Sequence, residues 1–391
     1  MTEDGKHSGE EGKVATVAIN SLGDQEPHDG LGDRQPHGLH AEYLRTRLLA
    51  RSDRKGFALV RLGVIGTGRI GTSHAAVLAG LPEVESVTIT DLDIVRAELL
   101  AQTNGYRLAR RVDVLIDEVD AVIITAATPA HAQLISQSVQ SGKPTFCEKP
   151  IALDLESTRK VVAEVNAAGV VVQIGFQRRF DPGYVQAKQL VATGELGTLY
   201  VVRMAGHDPA PPHEDYISVS GGLFRDFSVH DFDALRFVTG QEVVEVYADG
   251  SVIGFPVFDK YGDIDTGVVT LRLEKGALGI LSAARHDPLG YDIRMELFGS
   301  SDSVAVGWDG RTPMRSVEPD VPPPPGPAYR GFQDRFQRAY ELELAAFLEL
   351  ARGERENPCT PTDALEALAI AVACDVSRLE HRPVRVEEVK R

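Results

Sequence analysis

Three groups of residues in this chain have the types and spacing to do chemistry. The first is Gly66-Thr67-Gly68-Arg69-Ile70-Gly71, a GxGxxG turn between an apolar run at 57–65 and a helix-like stretch ending near Leu81. Gly66 permits a tight turn, Gly68 lets the backbone approach a pyrophosphate, and Gly71 allows helix and strand to pack closely. The helix N-terminus then faces the anionic phosphates. Asp91 stands twenty positions after Gly71 at the end of the next strand-like run, where a carboxylate binds ribose hydroxyls. The same carboxylate repels a 2′-phosphate, so NAD is expected rather than NADP. The second group is Lys149 followed by Pro150, in FCEKP after an apolar strand. Pro150 holds Lys149 extended, at the strand end where open α/β sheets bind ligands. Its ammonium suits stabilising a substrate oxygen as a proton leaves, although a solvated loop lysine has the same local sequence. The third is Asp226 and His230, at i and i+4 in GGLFRDFSVHD. On a helix they share one face, and a histidine held by a carboxylate accepts an alcohol proton near neutrality. A structural Asp–His pair is the plainer alternative. Zinc needs further ligands, and His207 with Asp231 supply no enforced geometry, so no metal is expected.

These groups need elements to position them. From residue 57 onward strands and helices alternate: strands at 57–65 and 84–90, a short strand after a helix at 94–102, and strands at 121–125 and 144–147, with a further helix at 131–141. That alternation predicts βαβ units and a parallel sheet covered on both faces, with 144–147 as its last strand. After Phe176 the pattern changes. A helix at 181–193 precedes β-rich segments at 243–252, 267–273, 277–284 and 293–298, which lack crossover helices and carry short turns such as Glu274-Lys275-Gly276. These suit antiparallel hairpins around one embedded helix at 229–238. Four prolines, Pro322 to Pro325, form a stiff connector before two helices at 335–351 and 361–379. The expected organisation is α/β: a tail at 1–56, a Rossmann domain at 57–178, and at 179–391 an α/β domain with a large open, mainly antiparallel sheet. The C-terminal helices are placed where they can pack back on the Rossmann half.

Composition removes other classes. The chain has 391 residues with 41 basic and 57 acidic side chains, a net charge of -16. Nucleic acid and anionic membrane surfaces both call for a basic face, so neither is an expected partner. No apolar run approaches the roughly 18 residues of a membrane span, and the first residues have no apolar core of an export signal. Cys147, Cys359 and Cys374 form no metal spacing and no complete disulfide framework, which points to a reduced, cytoplasmic protein. Cys147 reads as a small buried strand residue rather than a nucleophile. The tail is acidic and poor in apolar periodicity, with a short helix conceivable at 42–54. Its histidines (His7, His28, His37, His40) have no ligand spacing.

Together these motifs resemble the Gfo/Idh/MocA family of NAD(P)-dependent oxidoreductases. GVIGTGRIG, Asp91, TPAHA at 128–132, CEKP at 147–150 and GGLFRDFSVHD at 221–231 carry the likeness. Within the family the chain looks most like the inositol 2-dehydrogenases, through QIGFQRRFDPGY at 173–184, GDIDTGVVTLRLEKGALG at 262–279 and GYDIRMELFGS at 290–300. The resemblance implies His230 as the acid/base, Lys149 as the substrate-orienting cation and Asp226 as their support. It implies cofactor contacts from Gly66, Gly68, Arg69, Ile70, Gly71, Asp91, Thr128, Pro129, His131, Glu148 and Lys149. Substrate contacts are implied for Lys149, Arg178, Asp181, His207, Asp226, His230 and Tyr291, and assembly into a homo-oligomer, dimer or tetramer, through the large sheet. Ala127-Thr128 stands where inositol dehydrogenases commonly carry Trp-Gly, Arg225 is an unusual charge beside Asp226, and the tail lies outside the family pattern.

The reaction this implies is NAD-dependent oxidation of a secondary hydroxyl of a cyclitol to a ketone. Three alternatives use the same residues: a dehydrogenase of a sugar or aminocyclitol precursor, an NAD-assisted glycosidase working through a transient ketone, and a non-catalytic NAD-binding regulator.

Overall fold

The structure is a computed structural model and describes residues 59–390. The expected tail, its histidines and the helix at 42–54 lie outside the described residues.

The N-terminal half alternates strictly: β1 (Val60–Ile65), α1 (Arg69–Ala79), β2 (Val84–Thr90), α2 (Ile94–Asn104), β3 (Arg107–Leu108), α3 (Val112–Glu118), β4 (Ala121–Ile124), α4 (Thr128–Gln140), β5 (Thr145–Glu148), α5 (Leu155–Ala168) and β6 (Val172–Gly175). All six strands are parallel, in the order β3-β2-β1-β4-β5-β6. Every residue of β4 is buried. Ala121 and Ile123 face one core with Leu62 and Phe146, whereas Val122 and Ile124 face another with Leu134 and Ile174. This is the two-sided burial that an uninterrupted apolar strand signals. Helix ends carry their own stop signals: Asp93 and Asp154 accept N-terminal amides of α2 and α5, and Gly105 and Gly169 close the same helices at positive φ. The sheet contains one more strand than expected, since α5 and β6 follow β5. Val172-Gln173-Ile174-Gly175 is too short for its period to show against the polar helix before it.

The second half runs through a 3-10 turn (Gln177–Phe180), α6 (Pro182–Ala192), β7 (Leu199–His207), α7 (Glu214–Ser220), a π-helical turn (Leu223–Ser228) and α8 (Val229–Thr239). It continues with β8 (Val243–Ser251), β9 (Thr266–Leu273), β10 (Leu278–Ala284), β11 (Asp292–Gly299), β12 (Ser303–Val306), α9 (Phe332–Ala351), α10 (Pro361–Glu380), β13 (Val384–Arg385) and α11 (Val386–Val389). Seven strands form a mixed, mostly antiparallel sheet, β12-β11-β7-β10-β9-β8-β13, whose only parallel pair is β7 with β10. One face packs on α6, α8 and α10 through Leu235, Leu271, Leu281 and Ala371. The other alternates outward, leaving Tyr247, Val268, Leu278 and Ile280 exposed. The last long helices return to the first sheet: Leu344, Phe347 and Leu350 of α9 enter the core of β1, and Ala364 and Ala367 of α10 enter that of β6. Among the described residues no helix is long and apolar enough to cross a membrane.

Candidate active site

Strand order reverses between β1 and β4, so the turns leaving their carboxyl ends diverge and open a crevice. Gly66 sits there at φ +100°, and a Cβ on it would fall 2.6 Å from the Ala126 amide nitrogen. A Cβ on Gly71 would fall 1.9 Å from the Gly66 carbonyl oxygen, whereas one on Gly68 would meet nothing within 4 Å. Gly66 and Gly71 are therefore required by protein packing, and Gly68 by open space before the N-terminus of α1, where a diphosphate would lie. Asp91, just past β2, accepts hydrogen bonds from the Thr67 amide and hydroxyl and from Arg96, the last at 2.8 Å. Burial pushes its carboxyl upward, but these donors hold it below the usual carboxylate value. The turn and Asp91 thus form one unit, and its chemistry fits the diphosphate and ribose of NAD.

Arg69 is exposed, with its guanidinium 4.9 Å from the Phe332 ring centre, and Ile70 is half-buried. Thr128 and Pro129 open α4 beside the same crevice. His131 and Glu148, implied as cofactor ligands, each have protein partners. His131 is buried, with Nδ1 at 2.7 Å from the Pro150 carbonyl and Nε2 at 2.8 Å from that of Ala126. It ties the β4–α4 turn to the segment carrying Lys149. Glu148 Oε1 lies 2.7 Å from Nε2 of buried His74 on α1, which ties β5 to the first helix.

Lys149 leaves β5 and meets the second half of the chain. Its Nζ donates to the Asp226 carbonyl at 2.6 Å and lies 3.2 Å from Asp226 Oδ1. Asp226 is buried on the π-helical turn and also accepts from Tyr216 of α7 at 2.8 Å and from Arg285, just past β10, at 3.0 Å. Burial alone would raise its carboxyl, yet the cations of Lys149 and Arg285 bring it down to about 2.

His230 lies one residue into α8. The expected Asp226–His230 contact is absent among the described hydrogen bonds, because Tyr216, Lys149 and Arg285 engage the carboxylate. The chain changes from a π-helical turn to an α-helix between the two residues, so their spacing is not that of one regular helix. The His230 ring packs edge-on against Phe176, at 5.6 Å between centres, and its Nδ1 is enclosed with no protein partner. Burial, then the charges of Lys149 and Arg178, push its pKa well below the ordinary histidine value. It is a neutral base beside a cation.

The implied substrate residues divide. His207 is half-buried, its Nε2 at 3.0 Å from the Ser282 hydroxyl and its Nδ1 at 3.6 Å from Asp287. With Asp292 these form an acid–histidine group, but Asp292 is already held by both arms of the Arg294 fork. Tyr291 is buried, and Arg178 is buried in an ion pair with Asp231. Arg178 acts on His230 through its charge. Asp181 is a cap: Oδ1 accepts the Gly183 and Tyr184 amides opening α6, and Oδ2 lies 2.8 Å from Arg335. Arg225, the odd charge beside Asp226, turns away to Asp375 of α10 at 2.6 Å and to the Leu153 carbonyl. Sequence reasoning missed Tyr216, Arg285 and Asp208, which sits 3.4 Å from Arg285. Arg285 had a faint signal, as the first charge after the apolar run of β10. Tyr216 and Asp208 had none.

Comparison with known proteins agrees with this geometry. A family model described as an oxidoreductase family with an NAD-binding Rossmann fold matches residues 60–176, and one described as the GFO/IDH/MocA C-terminal domain matches residues 184–305. The myo-inositol 2-dehydrogenase of Thermotoga maritima is 37% identical over 334 residues, 84% of this chain and 99% of that protein. The scyllo-inositol 2-dehydrogenase (NAD(+)) of Bacillus subtilis is 34% identical over 339 residues, 85% of this chain and 97% of that protein. The crystal structure of scyllo-inositol dehydrogenase from Lactobacillus casei, with bound NAD(H) and scyllo-inositol, superposes with a TM-score of 0.77 at 28% identity, covering 84% of this chain and 99% of that one. With the dinucleotide turn, the two-sheet architecture and both family models in agreement, the chain belongs to the Gfo/Idh/MocA family and is an oxidoreductase whose cofactor is NAD.

Proposed function

We propose that this protein oxidises a secondary hydroxyl of a cyclitol, of the myo- or scyllo-inositol type, to a ketone. The observation that carries the reading is the meeting of Lys149, from the first sheet, with Asp226, from the second half of the chain, close to a neutral histidine whose buried Nδ1 has no protein partner. Bound NAD supplies the hydride acceptor. His230 takes the hydroxyl proton, and Lys149 stabilises the oxygen as negative charge grows on it. Asp226 holds Lys149, in place of the orienting role toward His230 expected from spacing. The cyclitol assignment is supported by relatives named for inositol oxidation along nearly their whole length.

On this reading, residues 57–178 form the cofactor half, and 179–391 the substrate and assembly half. The exposed apolar row on the second sheet supports self-association, to a dimer or tetramer, through that face. Three buried free cysteines agree with a reduced, cytoplasmic setting. The test is NADH formation by purified protein with NAD or NADP over a panel of inositol isomers, aldoses and aminocyclitols. Turnover of an inositol with NAD is the expected result. Activity confined to a sugar or aminocyclitol keeps the mechanism and replaces the substrate, while glycoside cleavage without net NADH, or NAD binding with no turnover of any kind, removes the dehydrogenase reading.

A further inference from the structure

Asp226 touches two cations, and only one of them faces the end of β5. Arg285 is buried just past β10, its backbone amide fixed on the Asp265 carbonyl at 2.8 Å. Its guanidinium places one nitrogen 3.0 Å from Asp226 Oδ2 and another 3.4 Å from Asp208 Oδ2, and lies 5.4 Å from the Phe227 ring centre. It thus spans two carboxylates and rests on an aromatic ring, which only a planar, multi-donor cation can do. Among the described residues Lys149 donates only to Asp226, twice, and an ammonium has a third proton that a substrate oxygen can accept. If Lys149 were the only cation beside Asp226, drawing its charge toward a substrate would leave a buried carboxylate uncompensated.

We propose that Arg285 is a positioning residue of this site: the fixed counter-ion that keeps Asp226 ionised and in place, so that Lys149 can commit its charge to the substrate oxygen. The proposal rests on the dehydrogenase reading above. Asp226 faces Lys149 after β5, Tyr216 on α7 and Arg285 after β10. Arg285 in turn faces Asp208 after β7 and feels Asp263 before β9, and His230 on α8 feels Lys149.

The experiment compares full-length wild type with Arg285→Met and Arg285→Lys. The carboxyl carbon of Asp226 is followed by NMR in carbon-13 aspartate-labelled protein and assigned by its loss in Asp226→Asn. Removing the cation raises the Asp226 pKa by about one to three pH units in Arg285→Met, and Arg285→Lys largely restores it. Activity that needs the ionised carboxylate is then lost at higher pH as pH falls. In Arg285→Met the acid limb of kcat/KM moves up and its plateau falls by on the order of 100-fold, with NAD affinity unchanged. A folded Arg285→Met protein with an unmoved Asp226 titration overturns the proposal, as does a moved titration with unchanged kcat/KM. If Arg285→Met does not fold, Arg285→Lys decides. Arg285→Lys keeps the charge and is expected to recover most of kcat/KM along with the Asp226 titration, so a restored titration without any recovery of kcat/KM overturns the proposal. Wild type inert on every polyol sinks the dehydrogenase reading instead, and the titration still reports on Arg285.

Discussion

The chemistry depends on charges that would be costly if they were not shared. His230 has Lys149 as a positive neighbour, and burial already disfavours its charged form. Its depressed pKa extends the neutral, proton-accepting form to lower pH than in a free histidine, which is half protonated near about pH 6.5. Replacing Lys149 with Met removes one of the positive charges, so the His230 pKa is expected to rise toward the ordinary value. Ring titration by NMR should show the midpoint moving to higher pH, and a midpoint that stays put would mean the two side chains are electrostatically independent. For catalysis itself, Lys149→Ala and His230→Ala are each expected to lower kcat by about 10²- to 10⁴-fold. NAD affinity, measured by titration calorimetry, should change little, because the dinucleotide turn is built from other residues. Parallel loss of NAD binding in both variants would assign them to the cofactor site or to folding.

At the scale of elements, several residues near the site hold pieces of chain together. Asp181 caps α6 and pairs with Arg335 of α9. Asp181→Ala is expected to lower unfolding free energy by about 1–2 kcal/mol from the lost cap alone, read from denaturant midpoints, with the polyol KM nearly unmoved. A large rise in KM without loss of stability would return Asp181 to the substrate pocket. Arg179 is buried, forks onto Asp233 of α8, reaches the Pro358 carbonyl, and lies 3.1 Å from Asp363 in the first turn of α10. Arg179→Met leaves Asp233 buried and unpaired, and is expected to cost about 3–5 kcal/mol, visible as a lower Tm. His74–Glu148 and His131 act similarly on the strand that delivers Lys149.

Taken as a whole, the molecule joins two sheets through helices that return from the far end of the chain. α9 and α10 fill cores beneath the first sheet while packing on the second, so the relative placement of Lys149 and Asp226 depends on residues about 200 positions beyond the lysine. The second sheet keeps one face uncovered, where Tyr247, Val268, Leu278 and Ile280 lie among polar neighbours. An exposed apolar face of this kind suits burial against a second copy. Ile280→Lys is expected to shift the protein toward monomer in sedimentation velocity while the monomer stays folded. An unchanged assembly, or a monomeric wild type, would remove this face from the self-association reading.

The sequence alone determined what depends on near neighbours. The GxGxxG turn, the two-sided apolar strands and the hairpin at Glu274-Lys275-Gly276 are each set by a few residues with strong local preferences. A short-range pattern is therefore enough to read them. Resemblance added the identity of Lys149, Asp226 and His230 as a set. Only the tertiary structure decided how that set is wired. Asp226 contacts the lysine and not the histidine, and its other partners, Arg285 and Tyr216, arrive from segments that sequence spacing cannot place. Asp181 and Glu148 have motif positions that suggest ligands, and the fold also gives each a protein partner distant in sequence, Arg335 and His74. A buried carboxylate must be matched by whichever donor folding brings within about 3 Å, and that donor is chosen by the packing of whole sheets and helices.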